Sequence, residues 1–275
     1  MIAAMPMLSR RALLSLGLRA GLAGAAVSVV SAPPTVAAPA PTYTSGALRS
    51  TARGGVTVNW IIARPPGQDR PLRPVILLHG KDSSAANVMS MGVERFLADA
   101  VAAGLPPLAM AAIDGGNGYW HRRASGDDSG SMVLDEFLPL LADQGLDTSR
   151  VAFLGWSMGG YGAMLLGSRL GSARTAAICA VSPALWTSPG AAAPGAFDGG
   201  EDYAANNVWG LDELDRIPLR IDIGDGDPFA GATREFIDQL ATPPAGGFSA
   251  GGHDAAFWSA QLTSQISWIA PLLSA

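Results

Sequence analysis

Short, mostly apolar segments alternate with segments of helical spacing along most of this chain, and this alternation restricts the possible folds more than any other feature. Apolar runs of this kind are typical of strands buried on both faces of a parallel sheet. They occupy residues 56–62, 74–78, 108–113, 151–154, 175–181 and 219–223. Apolar side chains with helical spacing occupy residues 87–103, 131–144, 158–169, 231–241 and 255–272. The pattern predicts an α/β fold with a mostly parallel central sheet and helices on both faces.

The composition excludes several classes of protein. With 275 residues, 48% hydrophobic and 15% charged, the chain is too apolar to be disordered. A net charge of −5 gives no basic surface for nucleic acid. The single cysteine, Cys179, excludes an intrachain disulfide and a zinc site with several cysteine ligands.

Residues 1–37 have the plan of an export signal, with a charged start, a mildly apolar middle and a small-residue end. The adjacent Arg10 and Arg11 resemble the paired arginines of twin-arginine signals. We therefore predict an exported protein, either secreted or held at the cell envelope. Prolines follow the other small-residue sites, so cleavage is expected between Ala37 and Ala38 unless the segment is retained as an anchor.

The rest of the chain is predicted to form one folded domain. Residues 38–54 are interpreted as a linker and residues 55–275 as a single α/β domain. Residues 183–217 are rich in Gly, Pro and Ala with scattered aromatic residues, which indicates an insertion over the edge of the sheet where ligands bind in such folds.

A G-x-S-x-G motif lies between the predicted strand 151–154 and the helix that follows it. On such a tight turn the serine is strained, and the positions two before and two after it accept only very small side chains, here Gly155 and Gly159. The turn exposes the Ser157 hydroxyl at a helix N-terminus, where developing negative charge is stabilised. The alternative is an ordinary glycine-rich turn with a capping serine.

A serine nucleophile needs a base, and the chain has three histidines. His79 closes a buried strand and is expected to shape the following turn. His121 lies in a loop that could line a cleft. His253 lies in a glycine-flanked loop before the last helix and follows the serine in the chain order expected for this motif; its alternative role is to cap that helix.

The acid that orients the base is expected after residues 219–223. Asp225 and Asp227 both lie there, and Asp225 could serve the Asp-Gly turn itself. Asp222 lies inside the strand and is expected to point away from the cleft or into the core.

Three separated motifs resemble the α/β-hydrolase fold, and more narrowly the esterases that include antigen 85-type mycolyltransferases and S-formylglutathione hydrolase-like enzymes. They are Gly155-Trp156-Ser157-Met158-Gly159-Gly160, Gly224-Asp225-Gly226-Asp227-Pro228-Phe229 and Gly252-His253-Asp254-Ala255-Ala256-Phe257-Trp258, and the fragment Asp114-Gly115-Gly116-Asn117-Gly118-Tyr119-Trp120 is also similar. The resemblance implies Ser157 as nucleophile, His253 as base and Asp227 as acid. It also implies the backbone N–H groups of Met158 and Lys81 as the oxyanion hole.

One departure from this family bears on the reaction. His79-Gly80-Lys81 resembles the turn of ordinary hydrolases rather than the Asp-Gly-Leu of mycolyltransferases, which favours hydrolysis over transfer. The sequence thus predicts a secreted serine hydrolase that cleaves small-molecule or lipid esters without a metal or cofactor. Its alternatives are an acyltransferase to a sugar or lipid alcohol, and a non-catalytic binding protein.

Substrate contacts are predicted less directly. We expect Trp120, His121 and Trp156 to contribute to substrate binding, with core packing or exposure at the rim as the alternatives for Trp120 and His121.

Overall fold

A computed structural model describes residues 42–68 and 70–275, so the predicted export signal lies outside the described residues. The described residues contain an eight-stranded sheet of order β1-β2-β4-β3-β5-β6-β7-β8. Strands β1 and β2 are antiparallel to their neighbours and the remaining strands are parallel, which confirms the predicted architecture. The strands are β1 Thr42–Ser50, β2 Val56–Arg64, β3 Pro74–Leu78, β4 Ala109–Ile113, β5 Val151–Trp156, β6 Thr175–Val181, β7 Leu219–Gly224 and β8 Ala245–Ser249.

The two edge strands were not predicted from the sequence. Residues 42–54, interpreted as part of a linker, form β1 and the turn that pairs it with β2, so the predicted linker is wrong over these residues. Strand β1 has one largely exposed face, and β8 contains Gly246 and Gly247, so neither shows the apolar run of a central strand.

Helices cover both faces of the sheet. They are α1 Ala85–Met89, α2 Val93–Ala102, α3 Ser129–Ser131, α4 Leu138–Asp143, α5 Met158–Leu170, α6 Gly200–Asn206, α7 Ala230–Ile237 and α8 Ala255–Ser274. The helix predicted over 87–103 is divided at Gly92, whose φ of +96° ends the α-helical path. A π-helical turn, Met132–Phe137, joins α3 to α4 inside the helix predicted over 131–144. No helix within residues 42–68 and 70–275 combines the length and the apolar character needed to cross a membrane.

Alternating strand residues supply two cores, one on each side of the sheet. In β3, Ile76 and Leu78 join the core beneath α4 and α5, whereas Val75 and Leu77 join the core beneath α1, α2 and α8. All four side chains are fully buried. At about 25 cal/mol per Å² of apolar surface, burial on both faces makes these central strands the main source of folding free energy.

Residues 183–217, for which an insertion was predicted, lie between β6 and β7. They contain α6 and two short 3₁₀ turns, Pro189–Ala191 and Asp212–Asp215. Aromatic side chains of the insertion pack against one another; for example, the rings of Phe197 and Tyr203 are 5.1 Å apart.

Candidate active site

The strained turn predicted at Ser157 is present between β5 and α5. Ser157 has φ +56° and ψ −117°, a conformation that L-residues rarely adopt. A side chain at Gly155 would collide with the backbone of Gly159, and one at Gly159 would collide with the Leu78 carbonyl of β3. Both glycines are therefore required by close backbone contacts, and the turn presents the serine directly before the first residue of α5.

The loops that carry Asp227 and His253 are hydrogen-bonded to each other. The Asp225 N–H donates to the Ser249 carbonyl at 2.8 Å, and the Gly226 N–H donates to the Gly251 carbonyl at 2.9 Å. These bonds extend the pairing of β7 with β8 beyond the strands. The turn after β7 and the histidine loop after β8 are thus held side by side.

These loops bring three side chains into one hydrogen-bonded chain. His253 Nε2 lies 2.8 Å from Ser157 Oγ, and His253 Nδ1 lies 2.8 Å from Asp227 Oδ2. The other carboxylate oxygen of Asp227 accepts the Phe229 N–H at 2.9 Å. Asp225 is not part of this chain: its carboxylate is exposed and faces Arg234. The helix cap that was the alternative role of His253 is supplied by Asp254, which accepts the Phe257 N–H.

Buried polar contacts fix the charge of Asp227. Its carboxyl side chain is fully buried, which by itself would raise the pKa. Hydrogen bonds from His253, the Phe229 N–H and Ser182 outweigh burial, so the pKa of Asp227 lies below its usual value. The carboxylate is therefore ionised at neutral pH and can stabilise positive charge on His253.

Two aromatic rings enclose His253. The Phe229 ring lies 5.3 Å from the imidazole, and the Trp258 ring lies 5.2 Å from it in an edge-to-face arrangement. The Trp258 indole N–H also donates to Ser182 Oγ at 3.1 Å. One tryptophan thus contacts both the imidazole and a serine that hydrogen-bonds to Asp227.

The two predicted oxyanion donors belong to segments next to Ser157. Met158 is the first residue of α5, and Lys81 lies in the loop after β3. This loop passes close to the turn, since a Cβ at Gly80 would lie 3.5 Å from the Ser157 Cβ. Among the residues that the structure describes, neither the Met158 nor the Lys81 N–H donates a hydrogen bond to the protein. Both are free to bind an anionic oxygen.

A cavity of about 530 Å³ opens next to Ser157 and His253. Its lining includes the partly exposed Met91 and Trp258. Val88 and Trp156 also border it but are only 2% and 1% exposed, so the side chain of Trp156, which was predicted to bind substrate, packs mainly in the core. Polar side chains also reach this cavity, namely Ser83, Asn87 and Ser90. No carboxylate side chain is among the described residues that line it.

The structure contradicts the prediction that Trp120 and His121 line the cleft. Both side chains are 0% exposed. Trp120 packs edge-on against His79, with ring centroids 5.0 Å apart, and His121 stacks on Phe197 of the insertion. A loop sequence does not reveal which side chains face the cavity, and here both face the core.

Residues missed by the sequence analysis come from three elements. Val88 lies in α1 and Met91 in the turn after it, and Trp258 lies in the first turn of α8. Ser182 directly follows β6 and has φ +46°. Its position is a signal that could have been used, because the carboxyl ends of parallel strands meet where ligands bind.

Similarity to solved structures extends over most of the chain. A ferulic acid esterase superposes with a TM-score of 0.74 at 20% identity, covering 85% of this chain and 99% of the other. An S-formylglutathione hydrolase from Agrobacterium tumefaciens gives 0.65 at 19% identity, covering 85% and 96%. The fluorophosphonate-binding serine hydrolase FphF of Staphylococcus aureus gives 0.66 at 22% identity, covering 84% and 99%.

Sequence comparisons alone return nothing: no protein-family model and no curated protein matches the chain. The structural similarity, at these low identities, establishes the fold. The chain has the α/β-hydrolase fold predicted from its motifs.

Proposed function

We propose that this chain is a serine hydrolase that cleaves carboxylic esters through an acyl-enzyme intermediate. The observation that carries the proposal is the continuous hydrogen-bonded chain from Asp227 through His253 to Ser157, with the serine on a strained turn at a helix N-terminus. The structural neighbours support the same reaction, since their names describe esterases and serine hydrolases.

In the proposed reaction, His253 Nε2 takes the proton of Ser157 Oγ as the oxygen attacks the ester carbonyl. Asp227 accepts the Nδ1–H and stabilises the imidazolium that forms. The proton then passes from His253 to the leaving alcohol, and a water molecule releases the acyl group by the same steps in reverse order. The ionised, buried state of Asp227 suits this role.

The tetrahedral intermediate carries negative charge on the former carbonyl oxygen. In the proposed reaction it accepts hydrogen bonds from the Met158 and Lys81 N–H groups, which are free of other partners among the described residues. The N-terminus of α5 adds its partial positive charge. Loss of one such donor typically lowers kcat by about 10²–10³.

The lining of the cavity supports a small-molecule ester with an apolar group as substrate. Apolar contacts from Met91 and Trp258 would enclose an apolar group beside Ser157, with a polar rim to orient the rest of the ester. The neighbours named for ferulic acid and S-formylglutathione act on esters or thioesters with different groups, so the acyl group is best found with a series of nitrophenyl esters of increasing length.

The test is hydrolysis of these esters by purified protein and by Ser157→Ala. We expect the substitution to lower kcat/KM by at least about 10⁴-fold, because the nucleophile is lost. Ser149→Ala is the matched control, since Ser149 lies in an exposed turn before β5, at the opposite end of that strand from the serine turn. Turnover by Ser157→Ala equal to that of the control would overturn the proposal.

The same experiment separates catalysis from a non-catalytic binding role. A fluorophosphonate probe reacts with an activated serine, so the folded wild-type protein should be labelled at Ser157 and Ser157→Ala should not. Absence of both labelling and turnover in folded wild-type protein would favour the binding role. Acyl transfer is the alternative reaction, and it needs room for an acceptor alcohol; among the described residues, the space between the aromatic side chains of the insertion is only about 10 Å³.

Export is part of the proposal and is supported by the paired Arg10 and Arg11. Replacing both arginines with lysine should block export by the twin-arginine pathway and leave the protein in the cytoplasmic fraction of a bacterial host. Equal amounts of exported wild-type and variant protein would contradict this route.

A further inference from the structure

His79, the first residue after β3, is buried close to the candidate active site but is not part of the Ser157–His253–Asp227 chain. It is 1% exposed. Its Nε2 accepts the Gly115 N–H at 2.9 Å, and its Nδ1 lies 2.7 Å from the Gly80 carbonyl oxygen. Because a backbone N–H can only donate, the contact with Gly115 requires an unprotonated Nε2, and Nδ1 therefore carries the proton and donates to Gly80.

The contact between His79 and the Gly80 carbonyl also determines the direction of the Lys81 N–H, because both groups belong to one peptide bond. The Gly80 carbonyl and the Lys81 N–H belong to one planar trans peptide, so they point in opposite directions. When His79 holds the carbonyl on its own side, the N–H is directed to the other side of the loop. Gly80 and Lys81 both line the cavity that contains Ser157.

A second anchor holds the same loop after Lys81. Asp82 has φ +58°, its N–H donates to Asn117 Oδ1 at 2.8 Å, and Asn117 Nδ2 donates to Asp82 Oδ1 at 2.7 Å. Further along, the Ala85 N–H donates to Asp114 Oδ1 at 2.8 Å. These partners, like Gly115, come from the segment that follows β4, so the Gly80–Lys81 peptide is held on both sides.

We propose that His79 is a positioning residue that holds the Gly80–Lys81 peptide with its N–H facing the substrate oxygen, and that the segment 114–117 sets its tautomer and anchors the far side of the loop. The inference rests on the proposed function, since it assigns the Lys81 N–H to the oxyanion hole. A flip of this peptide would replace the N–H donor by the Gly80 carbonyl, which repels an anionic oxygen.

Burial favours the neutral form of His79 that this arrangement needs. Removal from water lowers the pKa of His79 below its usual value, against the opposite effects of the Gly80 carbonyl and Asp114. The Trp120 ring, packed edge-on against the imidazole, restricts its rotation.

Two amide substitutions separate the two nitrogens of His79. In His79→Asn, the side-chain amide nitrogen is two bonds from Cβ, the same separation as Nδ1 has in histidine. It can therefore still donate to the Gly80 carbonyl. The amide of His79→Gln reaches as far as Nε2, so it can accept the Gly115 N–H but has no donor for Gly80. Both variants lose the buried imidazole ring and the packing that it provides. Each variant therefore controls for the loss of folding stability in the other.

We expect His79→Gln to lower kcat by about tenfold to a hundredfold with KM within about twofold of wild type, as for a partly lost oxyanion donor. His79→Asn should retain most of kcat. Inhibition by a phenylboronic acid, whose tetrahedral adduct with serine places an oxygen in the oxyanion hole, should weaken in His79→Gln by the same factor as kcat. Equal kcat in His79→Gln and wild type, or equal losses in the Gln and Asn variants, would overturn the inference.

Asn117→Ala tests the second anchor outside the core and keeps the inference testable if both His79 variants fail to fold. It should lower kcat and boronic acid affinity together by about fivefold, while Asn207→Ala, which also loses loop hydrogen bonds, should leave both unchanged. An Asn117→Ala variant with unchanged kcat and boronic acid affinity would contradict the anchoring role. Absence of both turnover and Ser157 labelling in the wild type would instead overturn the proposed function, and this inference with it.

Discussion

Two regions of the molecule place a histidine between a carboxylate and a hydroxyl group, with aromatic rings around it. In the first region, His253 joins Asp227 to Ser157 through contacts of 2.8 Å each. The second region is centred on His121 and lies against the insertion formed by residues 183–217. In both, a carboxylate, a histidine and a hydroxyl group lie next to one another, as they do in a catalytic triad.

The second region also contains a carboxylate, a histidine and a hydroxyl group, but they are arranged differently. His121 Nε2 lies 3.2 Å from Asp202 Oδ2, and Nδ1 lies 3.0 Å from the Tyr119 carbonyl and 3.5 Å from the Tyr161 hydroxyl. Burial lowers the pKa of His121, although the Tyr119 carbonyl and Asp202 act in the opposite direction.

The hydroxyl groups account for the difference between the regions. Ser157 lies on a strained turn at a helix N-terminus and opens onto a cavity. Tyr161 is buried in α5, donates to the Asn206 carbonyl at 2.6 Å, and has its pKa raised by burial. The comparison teaches that an acid, a histidine and a hydroxyl do not make a candidate active site without access for substrate and donors for an oxyanion.

The largest expected difference between the regions comes from matched histidine substitutions. His253→Gln should lower kcat/KM by at least about 10⁴-fold with little change in Tm, because it removes the base. His121→Gln should leave kcat/KM within about threefold and lower Tm by about 5–10 °C, because it breaks buried hydrogen bonds. Ester hydrolysis and thermal unfolding measure the two effects, and a large loss of kcat with His121→Gln would make the second region catalytic.

A smaller expected effect separates the two carboxylates. Asp227→Asn should lower kcat by about 10³–10⁴-fold, because the amide favours the wrong tautomer of His253. Asp202→Asn should leave kcat nearly unchanged and destabilise the insertion, since Asp202 also accepts bonds from the Asp198 N–H and Asn206. Similar kcat values for the two variants would remove the distinction between the regions.

The smallest expected effect is a change in the free energy of unfolding at acid pH that comes from a carboxylate in the second region. Asp198 bonds to Arg123 and the Ala124 N–H, which lower its pKa from 3.8 to about 2. A carboxyl group with a depressed folded-state pKa stabilises the protein above its unfolded pKa and loses this contribution as pH falls toward the folded value. Asp198→Asn should therefore be less stable than wild type at pH 6, and the difference should narrow between pH 4 and pH 2. Urea unfolding across this range measures it; a constant difference would contradict the role of the charge.

The turn at Ser157 could be predicted from sequence because its geometry depends on neighbouring residues. Gly155 and Gly159 are required by contacts within the strand–turn–helix unit and with the adjacent strand, so the motif and its flanks were sufficient. The choice between Asp225 and Asp227 was harder, since both fit a turn after β7. The fold distinguishes them: Asp225 is exposed beside Arg234, and Asp227 is buried beside His253.

Other predictions failed because they depended on the direction in which a side chain points. Trp120 and His121 follow β4, where ligand contacts are common, but both turn into the protein interior. Strand β1 lies at an edge with one exposed face, so its sequence lacks the apolar run of a buried strand. Local spacing carries no information about either property.

The sequence by itself determined the alternation of strands and helices, the serine turn and the order of the candidate triad, because these follow from local backbone geometry and hydrophobic periodicity. Only the tertiary structure decided which histidine meets Ser157, which residues line the cavity and how His79 contacts the Gly80–Lys81 peptide. Those outcomes depend on distances between segments far apart in the chain, such as residues 79 and 115 or 157 and 253, which are fixed only when the sheet brings their ends together.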